Sequence, residues 1–125
     1  MDDFSGEINT YGKYLRRLRK SLGLRFEKFR SLLGVSKAYL SDVESGKSKP
    51  PSPDMQLKIV DILSVMGNIT KKDADALLDL AARERNEVPA DIYRMLVSDD
   101  SAVAAIRGSP KYKEFYTNFD NGGQT

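Results

Sequence analysis

From Thr10 onward the apolar residues fall at helical spacing. Tyr11, Leu15, Leu18 and Leu22 recur at i, i+4, i+7 and i+11, leaving Lys13, Arg16, Arg17 and Lys20 outside, so a first helix is expected up to Gly23. Phe26, Phe29 and Leu33 mark a second from about Arg25. Gly34 then supplies a tight turn, and Ser36 is placed to cap a third helix beginning at Lys37. In that helix Leu40 and Val43 face one way, while Lys37, Ala38, Ser41 and Asp42 face the other. Gly46 ends it and Pro50 forbids continuation. Ser52, Pro53 and Asp54 open a fourth helix carrying Met55, Ile59, Ile62 and Leu63 as far as Gly67.

The same pattern continues to the end of the chain. Thr70 and Asp73 have the spacing of a capping box, with Ala74, Leu77, Leu78 and Ala81 following to about Arg85. Pro89 opens a helix with Val88, Ile92, Tyr93 and Leu96 on its apolar side. Another starts at Ser98 or Asp99, carries Val103 and Ile106 and stops at Gly108, and a last one begins at Ser109 and Pro110 with Tyr112, Phe115, Tyr116 and Phe119. The fold class is all-α: four to five helices in a bundle, then a helical C-terminal extension. The expected organisation is a flexible segment 1–9, a bundle domain 10–67, an extension 68–119 and a disordered tail 120–125. Leu15, Leu18, Phe29, Leu33, Leu40, Val43, Leu57 and Ile59 are the core candidates.

Length and composition fit this picture. The chain has 125 residues, 40% hydrophobic and 30% charged, in the range of a globular domain. No apolar run approaches the ~18 residues of a membrane span, and the acidic start MDDFSGEINT lacks the basic flank and apolar core of a signal peptide. A cytoplasmic protein without a membrane anchor is expected. With no Cys or His and no glycine-rich phosphate loop, the chain offers no catalytic residues, no metal site and no cofactor site.

Charge changes the picture. Between Thr10 and Pro50 there are eleven bases against three acids, a net +8, although the whole chain is only +2. Such a lobe is the electrostatic footprint of a nucleic-acid face, where neutralised phosphates release counterions. For Arg16 to Lys20 alone a solvated helix face is the better reading. The third helix, capped, small on its outer side and followed by Lys47 and Lys49, is either a major-groove reader or an ordinary amphipathic helix of a bundle.

The segment LLGVSKAYLSDVESGKSKPPSPDMQLKIVDIL resembles the phage-repressor and Cro-like (Xre-type) helix-turn-helix family. Gly34, Ser36, Glu44, Gly46, Lys47 and Pro50 stand on that family's pattern, and the likeness extends roughly from Tyr11 to Arg107. It implies a repressor-like bundle acting as a sequence-specific regulator of transcription on double-stranded DNA, a repressor by analogy, bound as a homodimer to an inverted repeat. Base edges would then be read by Lys37, Ala38, Ser41 and Asp42. Phosphates would be contacted by Ser45, Lys47, Lys49 and Arg25, and by Tyr39 if its ring does not simply cover the core. Glu44 would bond within the domain.

Three positions depart from the pattern. Arg25 and Phe26 replace a small polar cap and a Gln, and Arg30 replaces an Ala where the second and third helices meet, so its stem must snorkel outward. The C-terminal helices either dimerise, through Tyr112, Phe115, Tyr116 and Phe119, or complete one core. The competing function is a protein-interaction module, antitoxin-like, whose C-terminal helices grip a protein partner.

Overall fold

The computed structural model describes the backbone of residues 10–123 and the side chains of residues 10–117. The segment 1–9, expected to be flexible, lies outside the described residues, as does the side chain of Phe119. The helices are α1 (Tyr11–Ser21), α2 (Phe26–Leu33), α3 (Lys37–Ser45), α4 (Pro53–Met66), α5 (Lys71–Arg85), α6 (Ala90–Ser98), α7 (Asp100–Arg107) and α8 (Pro110–Gly123). No strand occurs among the described residues. The fold is thus all-helical, with each helix close to its place in the hydrophobic pattern. Helix α8 takes in the first four residues of the expected tail.

Two compact units meet after Asp91. Helix α5, which the sequence assigns to the C-terminal extension, belongs to the first unit. The reason is burial: Leu77 and Ala81 join Tyr11, Leu15, Leu18, Phe29, Leu33, Leu40, Val43, Ile59 and Leu63 in one core, and α5 packs against α1 and α4. The capping box is present, with Thr70 Oγ1 accepting from the Asp73 N–H at 3.0 Å and Asp73 Oδ2 accepting from the Thr70 N–H at 3.3 Å. At its other end α5 sends Glu84 to α1, where Oε2 accepts the free Tyr11 N–H at 2.7 Å.

The expected core is met except at Leu57, which is half-buried. Gln56 takes the inner position instead, since 56, 59 and 63 form the inward stripe of α4. Leu24 and Tyr14 also prove buried.

Helices α1 and α3 approach closely. A Cβ on Gly12 would lie 2.4 Å from the Val43 carbonyl oxygen and 2.7 Å from that of Glu44, both backbone atoms that cannot turn aside. Only glycine admits this crossing. Above it lies a buried ion pair: Arg19 Nε donates to Glu44 Oε2 at 2.7 Å and Arg19 Nη2 to Glu44 Oε1 at 3.0 Å, with both residues 6% exposed. The Arg19 Nη1 donates to the Leu24 carbonyl at 3.0 Å, and its guanidinium lies 5.5 Å from the Phe26 ring centroid. One side chain thus ties α1 to the following turn, to the start of α2 and to the end of α3.

Two expected outcomes follow from this packing. Replacing Glu44 by Ala strands a buried guanidinium, so denaturant unfolding should show a loss of about 3–5 kcal/mol; a loss within ~0.5 kcal/mol would mean that the pair is not needed. The second concerns alkaline stability. Burial first, and then the Asp73 carboxylate to which its hydroxyl donates at 3.2 Å, push the Tyr14 phenol up to about 12, against an ordinary value of ~10. Between these two values only the unfolded chain gives up that proton, so stability should fall as pH rises through the window. Tyr14→Phe should flatten the decline in thermal melts recorded from pH 9 to 12. Tyr11 and Tyr39, raised in the same direction by burial, contribute to the slope that remains.

A candidate nucleic-acid interface around the third helix

Helix α3 is bounded by two glycines in the left-handed region, Gly34 at φ 73° and Gly46 at φ 84°. Ser36 caps it as the sequence predicts, Oγ accepting the Tyr39 N–H at 3.0 Å. Leu40, Val43 and Glu44 are buried, whereas Lys37, Ala38 and Ser41 are exposed and Asp42 is half-buried. The outer face is therefore short and polar. Nine residues at helical rise extend about 13 Å, a length that suits a major groove ~12 Å wide.

Lys37 is the longest reach on this face, with its side chain 73% exposed. Its Nζ lies 3.8 Å from Glu27 Oε1, so the first turns of α2 and α3 are neighbours. The Glu27 carboxyl is held below its ordinary range, by a hydrogen bond from Arg30 first and by the charge of Lys37 as well. An exposed pair of this kind is weak and readily exchanged for another anion. Arg30, on the expected contact between α2 and α3, turns outward along the turn: Nε donates to Glu27 Oε2 at 3.1 Å and Nη1 to the Val35 carbonyl at 3.1 Å. It braces the turn, and α2 still packs on α3.

After Gly46 the chain is pinned at three points. The Ser48 N–H donates to the Asp42 carbonyl at 3.1 Å, Arg85 Nη1 donates to the Pro50 carbonyl at 2.9 Å, and Gln56 Nε2 donates to the Pro51 carbonyl at 2.8 Å. Both prolines are buried, and Lys47, Ser48 and Lys49 stand exposed before them. The loop offers two cations on a backbone with little freedom. Ser45, expected on a phosphate, uses its hydroxyl locally, donating to the Asp42 carbonyl and accepting from the Lys47 N–H, each at 3.3 Å.

Arg25 is the N-cap residue of α2, exposed and making no side-chain cap bond, so its charge is available beside the first turn of α2. Phe26 has an internal task as the ring beneath Arg19. Tyr39 is 37% exposed, and burial of the rest raises its phenol above the ordinary range while the charge of Arg85 acts in the opposite direction.

The structure thus places Lys37, Ala38, Ser41, Asp42, Tyr39 and Ser45 on one short helix, with Lys47 and Lys49 on the loop behind it. The aromatic residues of the C-terminal helices belong to the second unit. There Tyr112 and Tyr116 stack with centroids 5.9 Å apart and planes 9° from parallel, and Phe115 is 65% exposed. Sequence reasoning missed Gln56 and Arg85, the two side chains that pin the loop. A polar residue on the Ile59 and Leu63 stripe could have disclosed the first. Nothing local marks the second, since a basic residue in a last helical turn normally reads as a complement to the helix dipole.

Among the described residues no cluster of acids could hold a metal ion, and no helix is long and apolar enough to cross a membrane. Residues 10–71 match the family model described as a helix-turn-helix domain, and α1–α4 have that architecture, with α2, the Gly34 turn and α3 as its central motif. No curated protein and no solved structure shows a significant match to the chain.

Proposed function

We propose that this helix-turn-helix domain reads double-stranded DNA in a sequence-specific manner and that the protein regulates transcription in the cytoplasm, as a repressor of the Xre type. The observation that carries the reading is the face of α3: small, polar, capped and largely exposed, with Lys47 and Lys49 on the pinned loop behind it. A helix so presented can enter the major groove while the loop cations meet the strand beside it. Lys37 would donate to guanine O6 or N7, Ala38 would lie against a thymine methyl, Ser41 would donate or accept, and Asp42 would accept from cytosine N4. Arg25, Tyr39, Ser45, Lys47 and Lys49 would take phosphates. Ser45 would first exchange its internal bond.

One such domain spans few base pairs, so a homodimer on an inverted repeat is the natural arrangement. The second unit supports it, because Val97 and Phe115 are each 65% exposed on helices otherwise rich in apolar side chains. The same surface is what a protein-interaction module would use to hold a partner.

Selection of bound duplexes from a random pool at near-physiological salt tests the reading. Enrichment of an inverted repeat with half-sites about one turn apart is expected; salt-sensitive retention without any enriched sequence would overturn it in favour of a protein partner. On the selected duplex, Lys37→Ala should relax preference at one base position at a cost of ~1–3 kcal/mol, whereas Lys47→Ala should weaken all sequences alike and lower the salt slope by about one. Equal behaviour of the two would refute the division into readers and anchors. Removing the residues beyond Ser109 should reduce dimerisation in sedimentation while leaving the helical signal of the first unit in place.

A further inference from the structure

The end of α5 lies outside the matched helix-turn-helix segment, yet it reaches the loop that follows α3. Arg85 is the link. Its Nη1 donates to the Pro50 carbonyl at 2.9 Å, while Nε and Nη2 grip Glu87 at 2.8 and 3.1 Å, a two-pronged pair that fixes the plane of the guanidinium. The pair is possible because α5 stops in a left-handed turn. Asn86 has φ 59° and ψ 49°, and the Glu87 N–H folds back to donate to the Ala82 carbonyl at 2.9 Å. That turn returns Glu87 to the helix end, alongside the loop rather than away from it.

Two consequences follow for the loop. Pro50, which has no N–H, can be held only through its carbonyl or by packing, and Arg85 supplies the hydrogen bond. The cations ahead of Pro50 therefore sit on a backbone whose far end is anchored to α5. Glu87 meanwhile brings a carboxylate to the same place: the guanidinium that grips it also bonds the carbonyl of Pro50, the residue after Lys49, and the charge of Lys49 adds to that of Arg85 in favouring the ionised carboxylate. A phosphate approaching Lys49 meets the field of this acid.

We propose that the end of α5 governs the phosphate-contacting loop: Arg85 is a positioning residue that holds it through the Pro50 carbonyl, and Glu87 competes with phosphate for Lys49 and so holds DNA affinity down. The inference rests on the DNA-binding reading given above. The sign of the second effect is its distinguishing feature, because removing an ordinary surface acid far from the loop leaves affinity and salt slope alone.

The experiment uses the full chain, the duplex selected from the random pool and a scrambled duplex of equal length, with dissociation constants measured from 50 to 300 mM salt. Glu87→Gln is expected to bind both duplexes about two- to fivefold more tightly at low salt, with the salt slope steeper by up to about one. Arg85→Gln is expected to bind both more weakly and, without DNA, to exchange the Ser48 amide hydrogen faster. The double variant separates the two roles. If Arg85 positions the loop, Ser48 exchange stays fast when Glu87 is also replaced. Recovery of wild-type exchange in the double variant would show that Arg85 only neutralises Glu87, and would overturn the positioning role. An unchanged affinity and slope in Glu87→Gln, with the wild type binding its selected duplex, would overturn the competition. If the wild type selects no duplex, it is the DNA reading that fails, and the exchange measurement still decides whether Arg85 holds the loop.

Discussion

The fork of Arg19 on the carboxylate of Glu44 is the contact on which the arrangement of this domain depends. A guanidinium and a carboxylate meeting through two parallel hydrogen bonds have one good relative placement, and burial makes any poorer placement costly. Since Arg19 lies near the end of α1 and Glu44 near the end of α3, the pair sets the register between the two helices. Gly12 lets them come close enough for it, and Phe26 closes the site from α2. The helix offered to the outside is thus held from behind by a charge pair, with apolar packing to either side.

This explains the departures from the family pattern. Phe26 stands where a side chain directed at phosphate would be expected, but here it faces inward and covers Arg19. Arg30 stands where a small residue would let two helices touch, and its stem lies along the turn so that its head can brace Glu27 and the Val35 carbonyl. In both cases a residue of the surface grammar has been drawn into the scaffold. What remains for an outside partner is the start of α2 at Arg25, the exposed face of α3 and the loop of Lys47 and Lys49.

Helix α5 changes how the domain is understood. Its apolar stripe supplies Leu77 and Ala81 to the core, its Glu84 satisfies an orphan N–H of α1, and its Arg85 holds the loop beyond α3. A helix that follows the matched segment in sequence is therefore part of the same folding unit and touches the proposed interface at its edge. The later helices form a unit of their own, in which apolar side chains remain at the surface.

Every helix of the fold was legible in the sequence, because helices are written locally: a cap such as Ser36, Ser52 or Thr70, a stripe at helical spacing, and a glycine or proline to stop. The outward face of α3 was legible for the same reason, as the complement of Leu40 and Val43. The family pattern marked Glu44 as bonding within the domain, but the partners that hold this face in place could not be read. Glu44 and Arg19 are 25 residues apart, and Arg85 and Pro50 are 35 apart. Nothing in a helical repeat says which charged side chain will be buried and which will meet solvent; that is decided by which helices cross and how closely. The sequence by itself determined the elements and the charge of the lobe around α3. Only the tertiary structure decided that one arginine would be buried as a tie and another would reach a proline carbonyl, because both choices are made by the distance between helices.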